Sequence, residues 1–206
     1  MTAEPETLRL EAKSLSHDSF ARFGTYAGEP ERSPDWIASG TRVGGVREDA
    51  DRTHGPRVAY LWNLGDLSYD GDVPYVGFVR YFHQGFRVSQ LERHPHETQT
   101  WLARRGTSFV VVAPETGPEP PPPESVAAFV VEPGDLIAIG RGVWMCHFFP
   151  LGPEATYNVI TSRRQPEQDR DLVDLSETAN TVLEITLPTD FAVMRTDLSI
   201  SATEDV

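Results

Sequence analysis

The chain has 206 residues, 39% of them hydrophobic, and a formal net charge of −13. That is long enough for one domain with a sizeable core, and too apolar for disorder throughout. The acidic balance excludes a nucleic-acid binder, which needs clustered Lys and Arg against phosphates; a solvated acidic surface is the simpler reading.

Residues 1–6 read as a frayed start, and Leu8 to Leu15 alternates in part, as a strand would. Ser16 is a good helix N-cap, with Asp18 in the first turn, Phe20 and Phe23 on one face and Gly24 as the stop, so a short helix is expected over Ser16 to Phe23. Tyr26 to Gly55 is rich in Gly, Pro, Asp and Ser and reads as a long loop anchored by Trp36: a lid, a dimer arm or an idle segment. From Pro56 onward the pattern is β. Arg57–Asn63, Tyr75–Phe82, Phe86–Arg93, Gln99–Ala103 and Ser108–Ala113 are strand candidates separated by Gly, Asp and Pro clusters. Pro114 to Glu124 contains four consecutive prolines and cannot pair in a sheet; a stiff exposed connection is expected ahead of a PxxP-type ligand. Val126–Val131, Leu136–Ile139, Val143–Phe149 and Thr156–Ser162 complete an all-β pattern, a barrel or sandwich of many short strands. The expected division is a barrel domain over residues 1–164 and an acidic, partly ordered extension over 165–206. In the extension, Leu172–Thr178 reads as a helical turn, Val182–Leu187 as a strand and Ser199–Val206 as disordered. The single cysteine, Cys146, precludes an internal disulfide and fits a reducing, cytoplasmic setting. No secretory signal and no membrane-length apolar run are present, so no membrane association is expected.

The chemistry is expected in Glu92 to Gly106, which holds two of the six histidines, two carboxylates and a Gln, and leads into the most strand-like segment, Thr107 to Ala113. Residues i and i+2 of a strand share a face, so Glu92 and His94 project into one space; Gln99 joins them if Pro95 to Thr98 turns. The spacing Glu-x-His-x4-Gln-x6-Gly resembles the first cupin motif, with Glu92 in place of its first His and Gln99 in place of its carboxylate. Gly134, Gly140, Gly142, Met145 and Phe149 hold the spacings of the second motif, with Met145 at the metal-binding His position. By parity His147 shares a side with Met145, and a two-residue bulge near Trp144 would bring it into the missing ligand's place; a core histidine is the alternative. Cys146 faces the other way and reads as a core thiol.

Within cupins the chain resembles the ureidoglycolate lyase family. The resemblance rests on Leu15 to Gly24, on Leu91-Glu-Arg-His-Pro95 with Thr98-Gln99, on Gly106 to Pro114 with the proline loop, and on Arg141-Gly-Val-Trp144; it covers roughly Leu8 to Ile160. It implies a homodimeric cupin barrel that splits the carbinolamide ureidoglycolate into glyoxylate and urea. Glu92, His94, Gln99, His147 and Arg141 are then the expected catalytic residues, with Glu92 or His94 as base. Arg80, His83, Trp101, Trp144 and Met145 are the expected substrate-binding residues, Arg80 or Arg141 pairing the carboxylate. A divalent ion (Zn, Mn, Fe or Ni) would be held among Glu92, His94, His96, Gln99 and His147. Three positions depart from the family pattern. His96-Glu97 replaces a small or apolar pair, Met145 follows Trp144 in place of His, and Thr161-Ser162-Arg163 stands where the family has Asp-Arg. They leave open a repurposed isomerase, cyclase or dehydratase, or a non-catalytic ligand-binding cupin.

Overall fold

The computed structural model describes residues 4–28, 43–47, 58–62, 67–162 and 170–188, with backbone alone over 43–47 and 58–62. Trp36, His54, Arg163 and Ser199–Val206 lie outside the described residues. The chain opens with β1 (Glu6–Glu11) and β2 (Lys13–Ser14), split at the buried Ala12, then α1 (His17–Phe20) and β3 (Gly24–Ala27). There follow β4 (Val43–Arg47), β5 (Val58–Trp62), β6 (Pro74–Phe82), β7 (Arg87–Val88), β8 (Gln90–Arg93), β9 (Gln99–Arg105) and β10 (Ser108–Ala113). After the proline loop come β11 (Ala127–Val131), β12 (Leu136–Ile139), β13 (Trp144–Pro150), β14 (Glu154–Ser162), β15 (Asp171–Asp174), α2 (Leu175–Thr178) and β16 (Thr181–Thr186).

Two sheets face each other. One has the order β15-β8-β13-β10-β11-β2, the other β3-β12-β9-β14-β6. Their inner faces meet in one core, with Val110, Val112, Phe129, Met145 and Phe148 against Trp101, Ile137, Ile139, Tyr157 and Val159. A third, smaller sheet, β1-β16-β7, covers the outer face of the first. Leu183, Ile185 and Val88 from that sheet pack on Phe109, Val111, Val130 and Phe149 in a second core. Alternating inward residues on both faces of the middle sheet explain why β10 is buried along its whole length. The arrangement is the all-β, double-sheet barrel expected from the sequence.

Several elements differ from expectation for local reasons. The N-terminal helix is a single turn closed by a capping box, in which Ser16 Oγ accepts from Ser19 N and Ser19 Oγ accepts from Ser16 N, both at 3.0 Å. It stops early because Gly24 already pairs with Ile139. A Cβ at Gly24, with φ of +149°, would lie 1.8 Å from the Ala138 carbonyl oxygen, so only glycine fits this crossing. The stretch expected as one loop is not loop throughout: β3 claims Tyr26, which is buried and donates to Asp135 at 3.2 Å, and β4, within the stretch, pairs with β5. Phe86–Arg93 is two strands because the chain changes sheets between Val88 and Gln90. Leu172–Thr178 is half strand: β15 pairs with β8 before Asp174 caps α2 by accepting from Ser176 N at 2.9 Å. The outer face of β6, the edge strand of its sheet, leaves Val76, Phe78 and Phe82 more than half exposed.

Candidate active site

Glu92 lies on β8 opposite Met145 of β13, and paired residues of antiparallel strands share a face, so its carboxylate points toward the first core. The neighbouring Leu91 and Trp144 take the opposite side and pack in the second core. Only two residue pairs join β8 to β13, Trp144 with Arg93 and Met145 with Glu92. Beyond them the strands part, and a cleft of about 350 Å³ opens, lined by Glu92, Met145, His147, Arg87 and Arg170 among others.

β13 does carry a bulge, but it is one extra residue at His147–Phe148 and not the two-residue bulge expected near Trp144, where the pairing is regular. Val111 pairs with Cys146 and Phe109 with Phe149, so His147 and Phe148 together oppose Val110. Parity is reset there: Met145 and Phe148 both enter the first core, while His147 turns to the cleft beside Tyr81, ring centroids 5.9 Å apart. Its Nδ1 lies 3.7 Å from Glu92 Oε1. His94 Nε2 lies 3.9 Å from the same oxygen, and Arg170 Nη1 lies 3.4 Å from Oε2. Burial opposes a charge on Glu92, but His94, His147 and Arg170 outweigh it and hold the carboxyl below its ordinary range. Burial and the nearby Glu92 push the Tyr81 hydroxyl well up. The Cys146 thiol, on the second-core side, is pushed up to about 12 by burial, which suits a packing role and not a nucleophile.

The turn at Pro95–His96 carries His96 outward, half exposed, to Asp70 at 3.1 Å, and returns Glu97 inward to 2% exposure. Glu97 accepts from Gln99 Nε2 at 3.1 Å, Thr161 Oγ1 at 2.7 Å and Ser162 N at 2.5 Å. Burial would raise its pKa, yet these donors outweigh that effect and keep it low. His94, only 5% exposed, lies between the two carboxylates, its Nδ1 3.6 Å from Glu97 Oε1.

Glu92, His94 and His147 are thus brought together, and Met145 forms the wall beneath them. Gln99 is committed to Glu97 and does not join Glu92. The remaining expected residues lie elsewhere. Arg141 bonds the Pro95 carbonyl at 3.1 Å and Ser68 Oγ at 3.3 Å on the rim. Arg80 faces outward, 3.6 Å from Glu154, because the inward residues of β6 are Val79 and Tyr81. His83 Nδ1 contacts the Pro150 carbonyl at 2.8 Å and packs on Phe86. Trp144 donates to Thr116 at 2.9 Å under the Arg93 guanidinium, on the second-core side. Trp101 is inside the barrel against Phe148, its ring centroid 5.1 Å away.

The sequence reading missed Arg170, Tyr81 and the inward turn of Glu97. Parity along β6 marks Tyr81, but exposed Phe78 and Phe82 mask which face is inner. Nothing local marks Arg170, whose position depends on the pairing of β15 with β8.

The donor set does not fit the expected metal. Among the described residues no group of three His, Cys, Asp or Glu side chains is arranged to hold an ion. His94 and His147 both address one oxygen of Glu92, a guanidinium occupies the other, and His96 has turned away to Asp70. Met145 is a poor ligand for a hard divalent ion.

The family model described as ureidoglycolate lyase matches residues 7–184. The chain belongs to the ureidoglycolate lyase family. Ureidoglycolate lyase 2 of Rhizobium meliloti is 30% identical over 155 residues, which cover 73% of this chain and 84% of that protein. Ureidoglycolate lyase of Schizosaccharomyces pombe is 23% identical over 160 residues, covering 72% and 82%. Among solved structures, an oxalate decarboxylase of Bacillus subtilis superposes with a TM-score of 0.36 at 15% identity, covering 63% of this chain and 29% of that one. A formate complex of Lactobacillus farciminis oxalate decarboxylase gives 0.37 at 13% identity, covering 65% and 36%. Thr161 and Ser162, at the end of β14, both bond Glu97.

Proposed function

We propose that this protein is a ureidoglycolate lyase, breaking the C–N bond of ureidoglycolate to give glyoxylate and urea. The observation that carries the reading is Glu92 with His94, His147 and Arg170 gathered around it at a cleft of about 350 Å³, within the size range of small-molecule sites. The substrate carries a hydroxyl, a carboxylate and a ureido nitrogen on one carbon. Arg170 takes the carboxylate with its fork of N–H donors. His147, open to the cleft, accepts the hydroxyl proton. As the carbonyl of glyoxylate forms, the C–N electron pair leaves with the ureido nitrogen, and the imidazolium returns the proton to it. Oxygen and nitrogen share one carbon, so a single imidazole serves both transfers. Glu92, too weak a base at its lowered pKa, stays negative and stabilises the imidazolium.

The test is release of urea and glyoxylate from ureidoglycolate by the purified protein, beside His147→Gln and Glu92→Gln. Turnover in the native protein that is lost in both variants supports the reading. Saturable binding without turnover points to a ligand-binding protein, and conversion of other small keto acids without urea release to a repurposed cupin enzyme. The exposed apolar face of β6 suits a contact between two copies, the homodimer implied by the family resemblance, which light scattering of the eluted protein measures. No described helix is long and apolar enough to cross a membrane; a cytoplasmic setting rests on the lone free Cys146.

A further inference from the structure

A carboxylate at 2% exposure is costly unless it is bonded and balanced. Glu97 is bonded by Gln99, Thr161 and Ser162, all neutral donors. Among the described residues its one ion-pair contact is with His94, at 3.6 Å from Nδ1. That nitrogen is buried and has no hydrogen-bond partner among the described residues, so the Glu97 charge is the strongest influence upon it. The backbone of His94 is fixed separately, its carbonyl accepting from Gly142 N at 3.0 Å. What remains to be set is the ring, and the ring has a carboxylate oxygen off each nitrogen: Glu97 behind, Glu92 in front.

We infer that Glu97 is a positioning residue that acts through His94, holding the imidazole with a protonated Nδ1 turned inward and Nε2 presented to Glu92. This rests on the lyase reading for its catalytic consequence, but not for its geometry. The three neutral bonds to Glu97 fasten the start of β9 to the end of β14, and a purely structural staple would need nothing more. The contact with His94 is what a staple does not explain.

Two measurements separate the roles, made on the intact protein and on Glu97→Gln, Glu97→Asp and Thr161→Val. The first is the nitrogen-15 imidazole spectrum of His94, which reports which ring nitrogen carries the proton and needs no substrate. The expected result is one form with a protonated Nδ1 in the native protein and in Thr161→Val. Glu97→Gln shows a changed tautomer pattern, and Glu97→Asp restores the native one in large part. The second is the pH profile of kcat/KM for ureidoglycolate. Glu97→Gln moves it by about one pH unit or more and lowers kcat about tenfold, with KM changed less, as expected for loss of a buried charge near the ring. Thr161→Val lowers Tm and leaves the profile in place. A His94 spectrum identical in native protein and Glu97→Gln overturns the inference, whatever happens to Tm. If the native protein releases no urea, the lyase reading fails, and the spectrum alone decides the role of Glu97.

Discussion

Glu92 gathers three partners of potential positive charge on two oxygens, and its consequences are measurable one side chain at a time. His147→Gln should lower kcat about 10²- to 10⁴-fold while the protein stays folded, the usual loss for a positioned acid–base group. Arg170→Met should instead raise KM for ureidoglycolate about tenfold or more, the worth of a charge-assisted bond, and should erase the preference over N-hydroxymethylurea, which lacks the carboxylate. Chelator treatment should leave turnover within about twofold, because among the described residues no three His, Cys, Asp or Glu side chains are arranged to hold an ion. The acid limb of stability belongs to Glu97 and Glu92. Each has a folded-state pKa below its unfolded value near 4.5. Their stabilisation is therefore complete above that value and is lost as the pH falls through the folded pKa. Tm followed downward from about pH 6 should decline more gently in Glu97→Gln than in the native protein. At this scale Glu92 and His94 were legible from strand parity alone. Glu97 was named but not placed, because two turn residues decide whether it faces in or out. Arg170 was invisible, because only a long-range pairing brings it to the cleft.

Strands were legible as elements because their alternation is local, and β10, β12 and β14 fall within two residues of their expected bounds. Faces were less legible. A single bulge in β13 reassigns every residue after His147, and two exposed aromatics on β6 invert the apparent inside and outside of Arg80 and Tyr81. The same local geometry makes Gly106 a sharp test of the turn between β9 and β10. Its φ is +77°, and a Cβ would lie 2.3 Å from the Glu154 carbonyl oxygen and 3.1 Å from Ala155 Cα. Both neighbours are backbone of β14 and cannot swing aside. Gly106→Ala should therefore cost about 2 kcal/mol or more, from the positive φ and the collision together. Thermal unfolding should show a loss of several degrees, and an unchanged Tm would mean the turn had found another path.

At the scale of the whole molecule, residues 170–188 are structural parts of the layers. β15 extends the middle sheet, β16 forms the centre of the outer one, and Leu175, Leu183 and Ile185 are buried. A chain ended at Arg164 should expose the second core and lose Arg170 with it. The expected outcome is insoluble protein or a Tm lowered by ten degrees or more on the scale of about 4 °C per kcal/mol for a chain of this size; a soluble, fully active product would show that the barrel stands alone. The parallel pairing of β1 with β16 joins Glu6 to Thr181 across 175 positions of sequence. Closing so long a loop is entropically late, and non-local pairing slows folding. On a ribosome adding residues from the N-terminus, β1 must wait without its partner until β16 has emerged. Synthesis and closure of the outer layer are thereby linked in time: an interrupted polypeptide lacks both this seam and the guanidinium beside Glu92, so truncated translation products should be proteolytically vulnerable and inert together.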